Sequence, residues 1–384
     1  MRILHIVPFY KPAYIYGGPI ASVSKLCESE QLAGADIDVL TTNANGAKDK
    51  LEVNTEGFSM VDQVKVYYFD SITNDNTFIS FKLWRYLYRH CKDYDIVHIH
   101  TWWNFLVLGA TFICKLRKVK VVLSPRGMLS DYIFNSTNSG IKKMLHRLFG
   151  RALLRTTVFN ATSVQEYIEC KDLIKNWSGF TLPNIIDLPD LKLAKLENDV
   201  FTLSFLSRID PKKGLEFVFE AISLLDFKVR FRIAGTGHAD YLNELGLLAE
   251  KLDIADQIEW VGWMGQEEKF QELMKADLFV LVSHNENFAN VVIEALYAGT
   301  PVLISQYVGL ASYVAEHDLG WVTGLDPQGI AAVIGECAGG SVKKDEVKRN
   351  GHAKIRGDFS PEVLSEKYLN QYRELNTLKL SNDE

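Results

Sequence analysis

Apolar positions along the chain follow two rhythms that take turns. Short, β-branched, continuously apolar runs at 3–7, 37–41, 96–100 and 119–123 read as strands. Between them, 20–32, 81–91 and 105–116 carry apolar residues at helical spacing. Strands that are apolar throughout must be buried on both faces, so this alternation predicts a parallel sheet with helices on either side. The stretch 183–200 breaks the rhythm with Pro183, Pro189 and mixed charge, and reads as a linker. Strands then resume at 201–207, 229–234, 258–261, 278–282 and 302–305, with helices from Gly214 and near 241–252. Two doubly wound α/β domains follow, with a cleft between them. In such sheets ligands bind beyond the carboxyl ends of the strands, so chemistry is expected just after each strand.

The length of 384 residues suits two domains at about 100–200 residues each. Ordinary apolar content and the lack of low-complexity tracts exclude a disordered chain. The longest apolar stretch, 105–114, is too short for a spanning helix, which needs about 18–20 residues. Met1-Arg2 runs straight into a strand, unlike a secretory leader. Cys27, Cys91, Cys114, Cys170 and Cys337 are scattered without a Cys-x-x-Cys pair, which argues against a disulfide framework and a structural zinc site. A soluble cytoplasmic protein is expected.

The net charge of −6 is unevenly spread. Between residues 96 and 165, ten Lys/Arg stand against one acid, Asp131. Within that region 141–155 reads as an amphipathic helix, with Met144, Leu145, Leu148 and Phe149 as its apolar positions. Lys142, Lys143, Arg147, Arg151 and Arg155 supply positive charge in a segment that contains no acidic residue. The segment is either a solvated surface helix or an interfacial one, attracted to anionic lipid or to a pyrophosphate-bearing acceptor. An acidic protein without a recognition motif is not expected to bind nucleic acid.

Candidate chemistry sits where the strands end. Gly17-Gly18 precedes a helix, and its backbone allows close approach of a phosphate to free N–H groups; a plain tight loop would look the same. His98 and His100 lie on one strand face, and either could bind metal, though the nearby sequence holds no third ligand. His100 comes last, where the strand meets the cleft. Trp102 and Trp103 follow, to line an acceptor surface or to anchor the loop, and Arg126 after the next strand is a candidate anion contact. Arg208 and Lys213, separated by a turn, can converge on one diphosphate or form a salt-bridged loop. Gly235 closes another tight turn. Glu286 and Glu294 are eight apart at a strand–helix junction, a spacing that brings both near one helix face about two turns apart. Such a pair suits the hydroxyls of a sugar nucleotide, with the helix N-terminus facing its phosphates.

The chain resembles the retaining GT-B glycosyltransferases of family 4, the group 1 transferases, over nearly its whole length. Glu286 to Glu294 matches their E-x7-E signature, backed in order by Gly17-Gly18, His100, Arg208 and Lys213. The resemblance implies that Glu294 holds the ribose, Glu286 contacts the donor sugar, and the Phe288-Ala289-Asn290 backbone meets sugar and phosphates. It implies that Arg208 and Lys213 stabilise the leaving diphosphate, with Gly17-Gly18 approaching it from the other domain. His100 corresponds to a histidine near the reacting carbon. Two departures stand out: Asn287 and Ala289 replace the usual glycines of Glu-Gly-Phe-Gly, and Ser207 precedes Arg208. The last helix of the family commonly crosses back, so the domains expected are 1–183 with 361–384, and 184–360.

Transfer in this family is thought to occur on one face of the sugar, the leaving phosphate taking the acceptor proton, so no carboxylate base is assigned. Asp-x-Asp pairs at Asp36/Asp38 and Asp93/Asp95 lie at or before strand starts and read as surface turn acids; no metal and no cofactor are expected. The resemblance implies a nucleotide-sugar donor, expected to be a UDP- or GDP-sugar. Trp263 stands near its base or packs in the core. The resemblance and the basic 141–155 segment together lead to the expectation of a glycan or lipid-linked glycan acceptor of bacterial surface-polysaccharide assembly, met at the inner face of the cytoplasmic membrane. Rival readings are a nucleotide-sugar epimerase or hydrolase, which would turn over donor without acceptor, and a non-catalytic scaffold. A pyridoxal-phosphate phosphorylase is disfavoured by length.

Overall fold

The computed structural model describes residues 1–47, 49–73, 77–135, 139–191 and 198–377. Residues 192–197 of the expected linker lie outside them. The chain divides into two compact units, Met1–Asp187 with Phe359 onward, and Leu188–Asp358.

The first unit contains β1 (Arg2–Ile6), β2 (Asp36–Thr42), β3 (Ala44–Asn45), β4 (Asp49–Lys50), β5 (Ser59–Val61), β6 (Val64–Phe69), β7 (Ile96–His100), β8 (Val121–Ser124), β9 (Val158–Ala161) and β10 (Gly179–Thr181). Eight of them form one sheet in the order β10-β9-β8-β7-β1-β2-β6-β5. It is parallel except for the β5–β6 hairpin at its edge. Every residue of β7 is buried, as a strand covered on both faces must be. The helices begin where polar side chains take up free backbone N–H groups: Ser80 accepts from Leu83, and Asn104 from Val107. The last helix, Pro361–Thr377, belongs to this unit. It buries Tyr368 and Tyr372, whose hydroxyls lie 2.9 Å from Asn160 Nδ2 and 2.7 Å from His98 Nδ1.

The second unit holds β11 (Thr202–Leu206), β12 (Arg230–Ala234), β13 (Ile258–Gly262), β14 (Leu278–Leu281), β15 (Val302–Ser305) and β16 (Gly320–Thr323). These form one parallel sheet in the order β13-β12-β11-β14-β15-β16. That is the doubly wound 3-2-1-4-5-6 order, whose direction reverses between β11 and β14. In the first unit the reversal falls between β1 and β7.

Two expectations are corrected. Segment 141–155 is not one regular helix: Ser139–Leu145 passes through a π-helical turn, His146–Gly150, into Arg151–Leu154. A π turn shifts the phase of the faces. Met144 and Phe149 are 54% and 63% exposed, while Leu153 and Leu154 are buried; the side chains of Leu145 and Leu148 lie outside the described ones. Asp38 is likewise no surface turn acid. It lies within β2, 3% exposed, and accepts from the Tyr94 hydroxyl at 2.6 Å, with Arg2 Nη2 3.5 Å away. The β-strand period turns alternate acids to one face, so Asp36 shares that face and pairs with Arg2 at 3.0 Å.

Glu166, 2% exposed, receives the Gly127 N–H at 2.6 Å and the Thr162 N–H at 2.7 Å. Glu166→Ala removes the acceptor of the buried Thr162 N–H and of the half-buried Gly127 N–H, and should cost about 3 kcal/mol of stability in urea unfolding. A change below about 0.5 kcal/mol, as at ordinary surface sites, would contradict this placement.

Candidate active site

In the second unit, the loops leaving β11 and β14 flank the reversal of strand order. After β11, Asp210 accepts the Lys212 N–H at 3.0 Å and caps the single turn Pro211–Lys213. Gly214 then opens the next helix at φ +67°, where a Cβ would lie 2.5 Å from the Val282 carbonyl oxygen. Gly235, after β12, has φ +140°, and its Cβ would stand 1.9 Å from the Ser207 carbonyl oxygen. Only glycine permits that approach, which lets the Ile209 N–H reach the Thr236 carbonyl at 2.8 Å. The His284 N–H donates to the Lys212 carbonyl at 2.9 Å and ties the two central loops together.

Glu286 is held in an extended segment by its backbone, donating to Tyr307 at 3.0 Å and accepting from Gly309 at 2.8 Å. Its carboxylate takes Lys213 Nζ at 2.5 Å. The helix starts only at Asn290, after Ala289 in a left-handed conformation, φ +67°. Glu286 and Glu294 therefore do not share a helix face. The eight-residue spacing reflects a loop of four residues followed by a helix, not two helical turns. Glu294, 8% exposed, pairs with Lys269 Nζ at 2.7 Å. Lys269 was not singled out from the sequence. It sits on the helix Gln266–Lys275, and no local spacing marks it; the only available signal was that a buried carboxylate requires a cation. Phe288 is buried, whereas Arg208 is exposed with no hydrogen-bond or ion-pair partner among the described residues. Burial pulls the Lys212 ammonium pKa down, aided by Lys213 and Arg208 against the opposing pull of Glu286. The loop is thus a dense cationic turn, suited to an anion. Trp263 is 76% exposed, so core packing does not account for it.

In the first unit, Gly17 (φ +71°) and Gly18 lead the helix Gly18–Leu32, and a Cβ at either would meet open space. His100 is fully buried, with Nε2 3.0 Å from His5 Nδ1 and Nδ1 3.4 Å from Arg126 Nε. Burial, together with His98, Arg126 and His5, holds its pKa well below the ordinary histidine value, so it is neutral. Arg126 Nη1 donates to Ser22 at 2.9 Å and to Asn184 at 2.8 Å. Trp102 is fully buried and anchors its loop rather than lining a surface, while Trp103 is partly buried and donates to the Met128 carbonyl at 2.6 Å.

A third imidazole does join the pair on β7. Strand pairing sets His5 beside His98, and ring nitrogens of His5, His98 and His100 lie within 4.8 Å of one another. Sequence proximity could not reveal it, because the register of two parallel strands brings it there. The nitrogens are already committed: His98 to Tyr372 and Ser124 at 2.7 and 2.8 Å, and His5 to Glu30 and His100 at 2.8 and 3.0 Å. This donor set is satisfied by protein hydrogen bonds and does not fit an ion.

The architecture of two parallel-sheet α/β units is the GT-B fold. A sucrose-phosphate synthase from Thermosynechococcus elongatus matches it with a TM-score of 0.76 at 19% identity, over 98% of this chain and 99% of that one. Anabaena Alr3699/HepE in complex with UDP-glucose matches with a TM-score of 0.72, at 19% identity over 97% and 100%. In sequence, residues 17–167 match the glycosyl transferase 4-like domain, and 192–337 match glycosyl transferases group 1. The chain belongs to the group 1 glycosyltransferases. The lipopolysaccharide core biosynthesis glycosyltransferase LpsE of Rhizobium meliloti is 25% identical over 46% of this chain and 51% of its own length. The chain spans only a third to a half of the first curated relatives it matches.

A left-handed backbone costs an L-residue about 1 kcal/mol, and glycine nothing. Ala289→Gly should therefore stabilise the protein by about 1 kcal/mol in denaturant unfolding. Destabilisation would mean that Ala289 does not hold this conformation.

Proposed function

We propose that the protein is a retaining glycosyltransferase that moves a sugar from a nucleotide-sugar, UDP- or GDP-linked, to a glycan or lipid-linked glycan in bacterial surface-polysaccharide assembly. The observation that carries this reading is the pairing of Glu286 with Lys213 and of Glu294 with Lys269 around the reversal point of the second sheet. Two carboxylates there accept hydroxyl hydrogens of sugar and ribose. Arg208 and Lys213 take the diphosphate, with the N-terminus of the helix Asn290–Tyr297 and the Phe288-Ala289-Asn290 backbone beside it. The bond from the anomeric carbon to the phosphate oxygen breaks as the acceptor oxygen bonds that carbon from the same face. The acceptor proton passes to the departing phosphate. Positioning and charge stabilisation then supply the catalysis, without a metal or other cofactor. UDP is the preferred nucleotide, because Alr3699/HepE is described with UDP-glucose.

The first unit, together with the last helix, is assigned the acceptor, with Trp103 and Arg126 as the candidate contacts that remain partly exposed. The pathway assignment draws on the relative LpsE. A peripheral position at the inner membrane face is supported by exposed Met144 and Phe149 beside exposed Lys143, Arg147, Arg151 and Arg155. No helix among the described residues is long and apolar enough to cross a membrane.

The test is a thermal-shift and turnover panel of UDP-, GDP-, ADP- and TDP-sugars, with and without chelator. One nucleotide at about 100 times its dissociation constant should stabilise the protein by about 2.7 kcal/mol, with or without chelator. Glu294→Ala should lose that shift. No response to any nucleotide would favour the scaffold reading, and donor turnover without acceptor the epimerase or hydrolase. Sedimentation with anionic vesicles at low salt should be lost on charge reversal at Arg147 and Arg151; equal sedimentation of both proteins would remove the membrane assignment.

A further inference from the structure

The helix Gln266–Lys275 leaves β13 through the short loop 263–265, so its first turn stands at the carboxyl end of the second sheet. Glu294 lies in the second turn of the helix Asn290–Tyr297, which follows β14 at the same end. Aromatic rings fix the two helices to each other. Phe270, 1% exposed, meets Tyr297 edge-on with ring centroids 6.2 Å apart, and the Tyr297 hydroxyl donates to the Pro189 carbonyl at 2.9 Å. Lys269 immediately precedes Phe270, and its Nζ lies 2.7 Å from Glu294 Oε1. The other buried acid of its helix, Glu272, is taken by Arg232 at 3.0 Å. Among the described residues Lys269 therefore forms an ion pair with Glu294 alone.

The hydrogen-bonding capacity of this pair is not used up. An ammonium offers three N–H donors and no acceptor, and a carboxylate offers acceptors only. Lys269 commits two donors, to Glu294 Oε1 at 2.7 Å and to Gln266 Oε1 at 3.1 Å. Its third meets no oxygen or nitrogen among the described residues, and the ammonium stands 5.1 Å from the centroid of the Phe270 ring. Glu294 Oε2 likewise has no partner among them, yet it is not sealed from solvent. The two side chains keep 14% and 10% of their surface exposed. One donor and one acceptor thus remain open side by side, in a largely dehydrated place.

A simple ion fits such a place poorly, because it satisfies one partner and opposes the other. A hydroxyl carries a donor and an acceptor on one oxygen, and two neighbouring hydroxyls can engage both charges together. In a nucleoside diphosphate the vicinal diol is that of the ribose. A 2′-deoxyribose lacks one of those hydroxyls and leaves a charged group without its hydrogen bond when the site closes on it. Sites built to bond a hydroxyl reject an analogue without one for this reason.

We propose that Lys269 is a specificity-determining residue: its free N–H donates to a ribose hydroxyl oxygen while Glu294 accepts the hydroxyl hydrogens, so that the pair selects ribonucleotide over 2′-deoxyribonucleotide donors. The inference rests on the reading that Glu294 holds the ribose, and adds the donor and the selection. Lys269 takes no part in bond breaking, so its effect falls on nucleotide binding.

The experiment measures nucleotide binding alone, by isothermal titration calorimetry on the full chain, and needs no acceptor. The ligands are UDP and 2′-deoxy-UDP, or GDP and 2′-deoxy-GDP if the guanine nucleotide binds more tightly. Wild type should prefer the ribonucleotide about 10- to 100-fold, the range of one hydrogen bond to a charged group. Lys269→Met should lower that preference about tenfold, by weakening the ribonucleotide far more than the deoxy ligand. The double variant Lys269→Met/Glu294→Leu removes both charges together, so it keeps the test open if the single variant fails to fold. Its preference should drop to about threefold or less. No preference in wild type, an equal loss of both ligands in Lys269→Met, or a full preference in the folded double variant overturns the proposal. A wild-type preference in Glu294→Ala instead overturns the placement of the ribose on Glu294. If Glu294→Ala loses the preference while Lys269→Met keeps it, that placement stands and the role of Lys269 falls.

Discussion

When a parallel sheet is wound both ways from its first strand, the loops after its two central strands leave toward opposite faces and open a crevice between them. That constraint decides where both units of this protein keep their unusual residues. In the second unit it separates the loop carrying Arg208 and Lys213 from the loop carrying Glu286. In the first it separates Gly17-Gly18 from His100.

The charges collected there need partners, because a buried carboxylate left alone carries a penalty of several kcal/mol. Lys213 and Lys269 meet that need for Glu286 and Glu294, and His5 meets it for Glu30. The first two pairs keep 10–17% of their side-chain surface exposed, enough for a ligand's hydroxyls and phosphates to enter and exchange partners. The third is sealed, with both side chains fully buried. A sealed pair cannot bind anything; it can only set the state of its neighbours. Exposure thus separates pairs that a ligand can reach from a pair that it cannot.

Backbone geometry adds a second requirement. Gly235 and Gly214 stand where a Cβ would strike a carbonyl oxygen, so those turns can be built only with glycine. Ala289 takes a left-handed conformation that glycine would adopt without strain. The turn before the helix Asn290–Tyr297 therefore holds this conformation with an alanine, next to the buried Phe288.

Much of this was legible along the chain. The alternation of apolar runs marks the central strands, within a residue or two of their ends, because burial on both faces leaves a signature in consecutive residues. The loops with Arg208, Lys213, Glu286 and Gly17-Gly18 could be read from their places after those strands. The edge strands β5, β10 and β16 escaped, since edges bury less and their pattern is weak, and the interior strands β6 and β9 escaped with them. The reading of 141–155 as one stripe failed because a π turn resets the helical phase, and no local propensity announces it. The partnerships lay further out of reach. Lys269 meets Glu294 across 25 residues, and His5 meets His100 across 95. Sequence alone determined which residues are apolar, which are charged and where strands end. Strand register and helix packing decided which charges touch, because such contacts depend on separation in space, to which spacing along the chain is blind.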